Sequence, residues 1–212
     1  MKNFPQLPAG SRFVASNMIS GVKDGHDAFL KWNDFMRSIT DDSLHSQSGG
    51  VGFDGVTDVV HKVSIVRNGD LIKTEIYLDI TGLNSKATDG DIIGDDGTGE
   101  AWFAQITDAV NGAVYKGRMN CIELPATGDP NIALWSAVEA TGVEDTLITL
   151  LDETELLQSQ GDGTDWAAGD EVAIAVTPPA DEYLYLVQGD ATGTTATYTA
   201  GIFLIELWGI TV

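Results

Sequence analysis

Beyond Arg118 the sequence contains no lysine or arginine, while sixteen Asp and Glu lie between Glu123 and Glu206. All eleven basic residues fall in the first 118 positions against another sixteen acids, so that part supplies −5 of the net −21 and the rest −16. Such asymmetry speaks to partners and solvent, not to fold. It argues against binding nucleic acid or an anionic membrane, both of which need clustered Lys and Arg. A basic protein surface, a cation or salty water is left as the counterpart. At about 1 M salt the Debye length shrinks to about 3 Å and repulsion between exposed carboxylates largely disappears.

Other scarcities narrow the class further. One cysteine, Cys121, excludes an intramolecular disulfide, and its setting in Met119-Asn120-Cys121-Ile122 reads as strand interior, hence a small buried apolar residue and not a reactive thiol. No apolar run approaches the about 20 residues of a membrane-spanning helix. Met-Lys-Asn-Phe-Pro-Gln-Leu-Pro at the N-terminus lacks the apolar stretch of a secretory signal, so the expectation is a soluble protein made in a cytoplasm. At 22.5 kDa, folding buries roughly 70 % of the unfolded chain's surface. That suffices for one domain with an appendage, or for two small domains.

Residues 1–58 differ in texture from the remainder of the chain. Pro5, Pro8, Gly10, Gly21, Gly25 and the patch Gly49-Gly50-Val51-Gly52 interrupt them repeatedly, which reads as an irregular arm. Within it Asp27 can cap a short helix, because Phe29, Leu30, Trp32, Phe35, Met36 and Ile39 recur at three and four residue steps. Such a stripe is expected to be a packing face, with a ligand site as the alternative.

From Val59 the period changes to two. Ile72, Thr74, Ile76, Leu78 and Ile80 fall on one face, with Lys73, Glu75, Tyr77 and Asp79 on the other, the pattern of a half-buried strand. Val63 and Ile65 alternate with Lys62 and Ser64 before it, and Asn68-Gly69 between the two runs predicts a hairpin over 60–80 with a primed turn. Further strand-like runs are Trp102–Thr107, Ala113–Leu124, Ile132–Val138, Thr146–Leu151, Val172–Thr177, Tyr183–Val187 and Ile202–Trp208, punctuated by seven Gly-Asp pairs suited to turns. Asp152–Gln160 reads as one or two helical turns. About eight short strands spaced by such turns predict an all-β, jelly-roll-like sandwich over 59–212.

The run Ile202-Phe203-Leu204-Ile205-Glu206-Leu207-Trp208 is apolar on both faces. It is expected either to lie centrally in the sandwich or to be covered by another subunit, with Ile202, Phe203, Leu204, Ile205, Leu207 and Trp208 as the interface. Glu206, its odd member, is expected at the sheet rim or paired across a subunit contact.

Residues that could carry chemistry are few. Asp89, Asp91, Gly94 and Glu100 match the first, third, sixth and twelfth positions of an EF-hand loop, but Ile93 occupies the fifth, and apolar strands flank it where helices are required. What survives is a divalent-ion candidate, calcium, at Asp89, Asp91, Asp95 and Asp96, against the alternative of a solvated turn-rich loop. His26, His45 and His61 show no metal spacing, and there is no nucleophile elbow, phosphate loop or dinucleotide fingerprint. With 32 acids, some carboxylate pair falls at glycosidase distance by chance. Trp102, Trp135, Trp166 and Trp208 lie in or beside apolar runs, so packing is the expectation and sugar stacking the alternative.

Taken together, Lys73-Thr-Glu-Ile-Tyr-Leu-Asp-Ile-Thr-Gly-Leu83, Asp91-Ile-Ile-Gly-Asp95, Gly117-Arg-Met-Asn-Cys121, Trp166-Ala-Ala-Gly-Asp170, Asp181-Glu-Tyr-Leu-Tyr-Leu-Val-Gln-Gly-Asp190 and Tyr198-Thr-Ala-Gly-Ile-Phe-Leu-Ile-Glu-Leu-Trp-Gly209 resemble a group of structural virion proteins of tailed, often marine, bacteriophages. The resemblance covers residues 60–209 and leaves the arm unmatched. It implies a non-enzymatic decoration or cement protein, a β-rich homotrimer on the outer head surface, bound to the major capsid protein. No catalytic residue or cofactor comes with it. In that role the arm would lie across neighbouring subunits through Phe4, Leu7, Arg12, Phe13, Phe29, Trp32 and Phe35, with Lys2, Lys23, Lys31 and Arg37 facing acidic shell protein. The competing expectation is a carbohydrate- or receptor-binding module of a phage tail or fibre, and a third is a glycan hydrolase.

Overall fold

The computed structural model describes residues 48–56, 59–95, 99–159, 163–189 and 193–212. The helix expected after Asp27 lies outside the described residues, as do Phe4, Leu7, Arg12, Phe13, Phe29, Trp32, Phe35 and Asp96.

Strands β1 (Val60–Asn68) and β2 (Leu71–Asp79) form the expected hairpin. Its turn sits one residue later than Asn68-Gly69. Asn68 pairs with Leu71 in the ladder, leaving Gly69 and Asp70 as the loop, and Gly69 takes the positive φ of 62°. The buried alternation Ile72, Thr74, Ile76, Leu78 dictates that register, since a slip by one would turn the whole set to solvent.

The chain continues through β3 (Asn84–Ser85), β4 (Ala104–Gln105), β5 (Ala113–Ala126), β6 (Ile132–Ala137), β7 (Glu153–Leu157), β8 (Glu171–Ala173), β9 (Tyr183–Gln188), β10 (Ala196–Thr197) and β11 (Ala200–Ile210). The described residues also include two single-turn helices, α1 (Val51–Asp54) and α2 (Asp108–Asn111), and a 3-10 turn at Ile148–Leu150. The strands build a five-stranded sheet in the order β1-β2-β11-β5-β8, a four-stranded sheet β4-β9-β6-β7 and a ribbon β10-β3, with every pairing antiparallel.

One apolar core joins the two larger sheets. Ile65, Ile76, Leu78, Met119, Cys121, Phe203 and Ile205 enter it from one, and Ile132, Leu134, Leu156, Leu184 and Leu186 from the other. The molecule is therefore an all-β sandwich; the strand order by itself does not single out jelly-roll winding. Phe53 of α1 is fully buried in the same core against Phe103, so residues 48–56, which composition assigns to the arm, belong to the folded body. A second, smaller cluster of Ile92, Ala101, Ala137, Ile148, Tyr185 and Val187 covers the other face of the four-stranded sheet. This explains why β9 is buried on both sides.

Two segments differ from expectation. Asp152–Gln160 contains strand β7, with 3-10 geometry at Ser159, because Glu153–Leu157 pairs along β6, and that ladder outweighs the helical preference of Glu and Leu. Thr146–Leu151 contains the 3-10 turn and a single bridge from Leu147 to Asp91.

Candidate functional site

β11 lies centrally, between β2 and β5, so its backbone is paired on both edges. Alternation then divides the expected interface residues. Phe203, Ile205 and Leu207 point into this chain's own core with at most 1 % of their surface exposed, and are unavailable to another subunit. Ile202, Leu204 and Trp208 are half-buried on the opposite, outer face. The strand is greasy on both sides because one side makes the core and the other a surface patch.

The register sets the composition of that patch. Leu204, Glu206 and Trp208 stand beside Tyr77, Glu75 and Lys73 of β2, and beside Asn120, Arg118 and Lys116 of β5. Glu206 is neither at the rim nor waiting for another subunit; it sits mid-sheet, 3 % exposed. Lys73 Nζ donates to its Oε1 at 2.6 Å and Arg118 Nε donates to its Oε2. Lys73 also donates to Glu75 Oε1 at 2.7 Å, and Arg118 Nη1 to Glu171 Oε2 at 2.8 Å. The Trp208 ring gathers the same cations, with Lys116 Nζ 4.9 Å from its centroid and Lys73 Nζ and Arg118 Cζ each at 5.5 Å. At partly exposed sites each such contact stabilises by about 0.5–1 kcal/mol.

Burial alone pushes the Glu206 carboxyl up, but the hydrogen bonds from Arg118 and Lys73 outweigh it and hold the group below its usual range. Lys73 is held above its usual value, chiefly by its hydrogen bonds to Glu206 and Glu75. A general acid or base works best with a pKa near the operating pH, and both groups are displaced away from neutrality. Lys73 and Glu206 are thus held charged across neutral pH, as an ion pair on an otherwise apolar face.

A cavity of about 350 Å³ opens on the other sheet, lined by Ala133 and Trp135 of β6, Glu155 of β7, Asp89, Gln158 and Ser159, among others. The Glu155 carboxyl is raised by burial and by repulsion from Asp89, and partly restored by a hydrogen bond with Gln158. Trp135 stands at the cavity with its body packed on the second cluster.

Compared with known proteins, the chain matches no family model, no curated protein and no solved structure. Its chemistry must be read from the side chains themselves. Among the described residues no three His, Cys, Asp or Glu converge to hold a metal ion. Asp91 is buried, with its carboxyl raised mainly by desolvation, while Asp89 is exposed at the cavity; Asp96, the fourth member of the candidate ion site, lies outside the described residues. Trp166 is a core residue whose Nε1 donates to the Ile132 carbonyl at 2.8 Å, and Trp102 stacks edge-on with Tyr183 at 5.0 Å. Trp135 and Trp208 therefore remain as the indoles placed at a cavity or on an open face. Among the described residues no helix is long and apolar enough to cross a membrane.

The Glu206 cluster escapes sequence reading because its members lie far apart, at positions 73, 118 and 206. One signal was present. A lone acid inside an apolar strand in a region devoid of Lys and Arg needs cations from elsewhere, and Arg118 is the last one before it.

Proposed function

We propose that this protein is a non-enzymatic structural subunit of a virion, a decoration or cement protein on the outer head surface of a tailed phage. In this role it assembles as a homotrimer and binds the major capsid protein. The observation that carries the reading is the outer face of the five-stranded sheet. There apolar and aromatic side chains surround a carboxylate, Glu206, that Lys73 and Arg118 already hold, with Lys116 over the Trp208 ring. The resemblance to phage structural proteins supports the same role. Three of its segments, Lys73–Leu83, Gly117–Cys121 and Tyr198–Gly209, contribute β2, β5 and β11, the three adjacent strands that display this face. Cementing works by burying apolar surface across joints of the shell, at about 25 cal/mol per Å².

The test is to add purified protein to heads lacking it, then sediment and image them. Saturable occupancy at fixed lattice positions is expected. Absence from purified virions together with failure to bind heads overturns the reading.

A second reading, a carbohydrate- or receptor-binding module, is favoured by the cavity beside Trp135, where Asp89 and Glu155 offer acceptors to sugar hydroxyls. Saturable quenching of tryptophan fluorescence by a defined glycan, abolished in Trp135→Ala, would establish it in place of the first.

A further inference from the structure

The outer face of the five-stranded sheet is unlike the rest of the molecule. Residues 44–212 contain only six Lys and Arg, and four of these, Lys62, Lys73, Lys116 and Arg118, stand on this face or its β1 flank. Four carboxylates stand there too, Glu75, Asp79, Glu171 and Glu206, so the charges on the face balance in a chain of net −21. Lys62 and Lys116 form no ion pair among the described residues, and both are exposed. Aliphatic side chains fill the spaces. Val66 and Leu71 are about half exposed at 49 % and 54 %, Ile210 at 45 %, and Ile202, Leu204 and Trp208 are half-buried.

We propose that this face is covered by a second copy of the chain, which meets it with a different, acid-rich part of its surface. Charge selects that arrangement. Two like faces brought together would set the exposed Lys62 and Lys116 against like charge, whereas residues 119–212 carry sixteen acids and no Lys or Arg and can complement them. The chain itself satisfies the requirement for an acidic partner, at equal concentration and without any other molecule. Contact between two different surfaces is head-to-tail, and head-to-tail contacts close into rings when the rotation permits. The inference rests on the functional reading only in that both require assembly. It names which face each subunit offers.

The area is adequate. Four strands at about 4.8 Å spacing and about 30 Å of strand length give roughly 600 Å² per copy. Over the two partners this is about 1,200 Å², the lower limit for a specific interface.

The experiment uses the full chain. Light scattering coupled to size exclusion gives the mass, and acetylation of lysines followed by mass spectrometry gives their accessibility. The expected result is a mass that is a whole multiple of 22.5 kDa, with Lys62 and Lys116 protected at high protein concentration and released on dilution. The double variant Leu204→Asp with Lys116→Glu should run as a monomer, with circular dichroism and melting temperature close to those of dilute wild type. Lys116→Glu alone, which leaves every apolar residue in place, should weaken association at least tenfold. A wild-type protein that stays monomeric at 100 µM overturns the inference, as does an oligomer whose mass and lysine protection survive both changes. A monomer that still decorates heads refutes this contact and leaves the functional reading standing. An oligomer built through this face that binds no head does the reverse.

Discussion

Phe203 and Leu204 are adjacent in sequence, chemically alike and on opposite faces of β11, so a pair of alanine substitutions tests the placement of the whole strand. Phe203 is fully buried, with its ring edge-to-face against Trp166 at 5.7 Å and 74°. Truncating a core phenylalanine costs about 3–5 kcal/mol, a range that includes the cavity left behind. Domains of this kind have about 5–15 kcal/mol in total, so Phe203→Ala should remove about a fifth of the stability or more. With a urea slope of about 2.5 kcal/mol per molar, the midpoint should fall by about 1.2–2 M. Leu204 is half-buried on the outer face, and Leu204→Ala should cost less than about 1 kcal/mol of intrinsic stability, because little of its surface leaves water within one chain. The assay is urea unfolding followed by tryptophan fluorescence and far-ultraviolet circular dichroism at two protein concentrations tenfold apart. Phe203→Ala should be destabilised equally at both. A cost below about 1 kcal/mol for Phe203→Ala, or one that vanishes on dilution, would place that ring in a subunit contact and refute the central position of β11.

Because Glu206 is depressed in the folded state, its contribution is present above the ordinary carboxyl value of 4.5 and disappears as pH falls through the folded value; Glu206→Gln should flatten the acid limb of stability against pH. Lys73, raised from 10.5, works in the opposite direction. Its contribution is complete below 10.5 and is lost as pH rises through the folded value, so Lys73→Met should remove part of an alkaline limb seen in thermal melts from pH 9 to 12. Burial, reinforced by the charge of Asp170, pushes the Cys121 thiol up to about 11, so iodoacetamide at pH 8 should leave the native protein unlabelled and label it fully in urea; rapid native labelling would contradict its position in the core. Deleting residues 1–58 should lower the melting temperature further than deleting residues 1–47, since the longer deletion removes the buried Phe53; equal melting temperatures would show that α1 adds nothing to the body.

What the sequence discloses here depends on how far apart the interacting residues lie. The β1–β2 hairpin is legible because its alternation and turn are local, and even there the turn moved by one residue. Asn-Gly is a strong signal, yet the buried row from Ile72 to Leu78 fixed the register and chose Gly69-Asp70. β7 was unreadable because what makes it a strand is distant, the ladder to β6 and the burial of Leu156 and Leu157 in the core, while Glu-Thr-Glu-Leu-Leu by itself suits a helix. The double apolar character of β11 was plain, but one-dimensional periodicity cannot say which side meets the core. The Glu206 cluster needed three strands to be brought side by side before it existed. The surroundings of the acidic loop were equally illegible: a backbone bridge joins Asp91 to Leu147, and Asp89 lies at a cavity beside Glu155, partners 56 and 66 residues away in sequence.

The insertion of β11 between β2 and β5 also has a temporal side. Phe203 takes its place beside Leu78, 125 residues earlier in the chain. At translation speeds of about 5–20 residues per second, the hairpin waits about 6–25 s on the ribosome with one flank of β2 bare. During that interval a nascent chain on a crowded polysome displays an unclaimed row of amide and carbonyl groups to its neighbours, the situation in which strands from different molecules cross-pair. Yield of native protein should therefore respond to synthesis rate and temperature more strongly than the equilibrium stability of the finished sandwich would suggest.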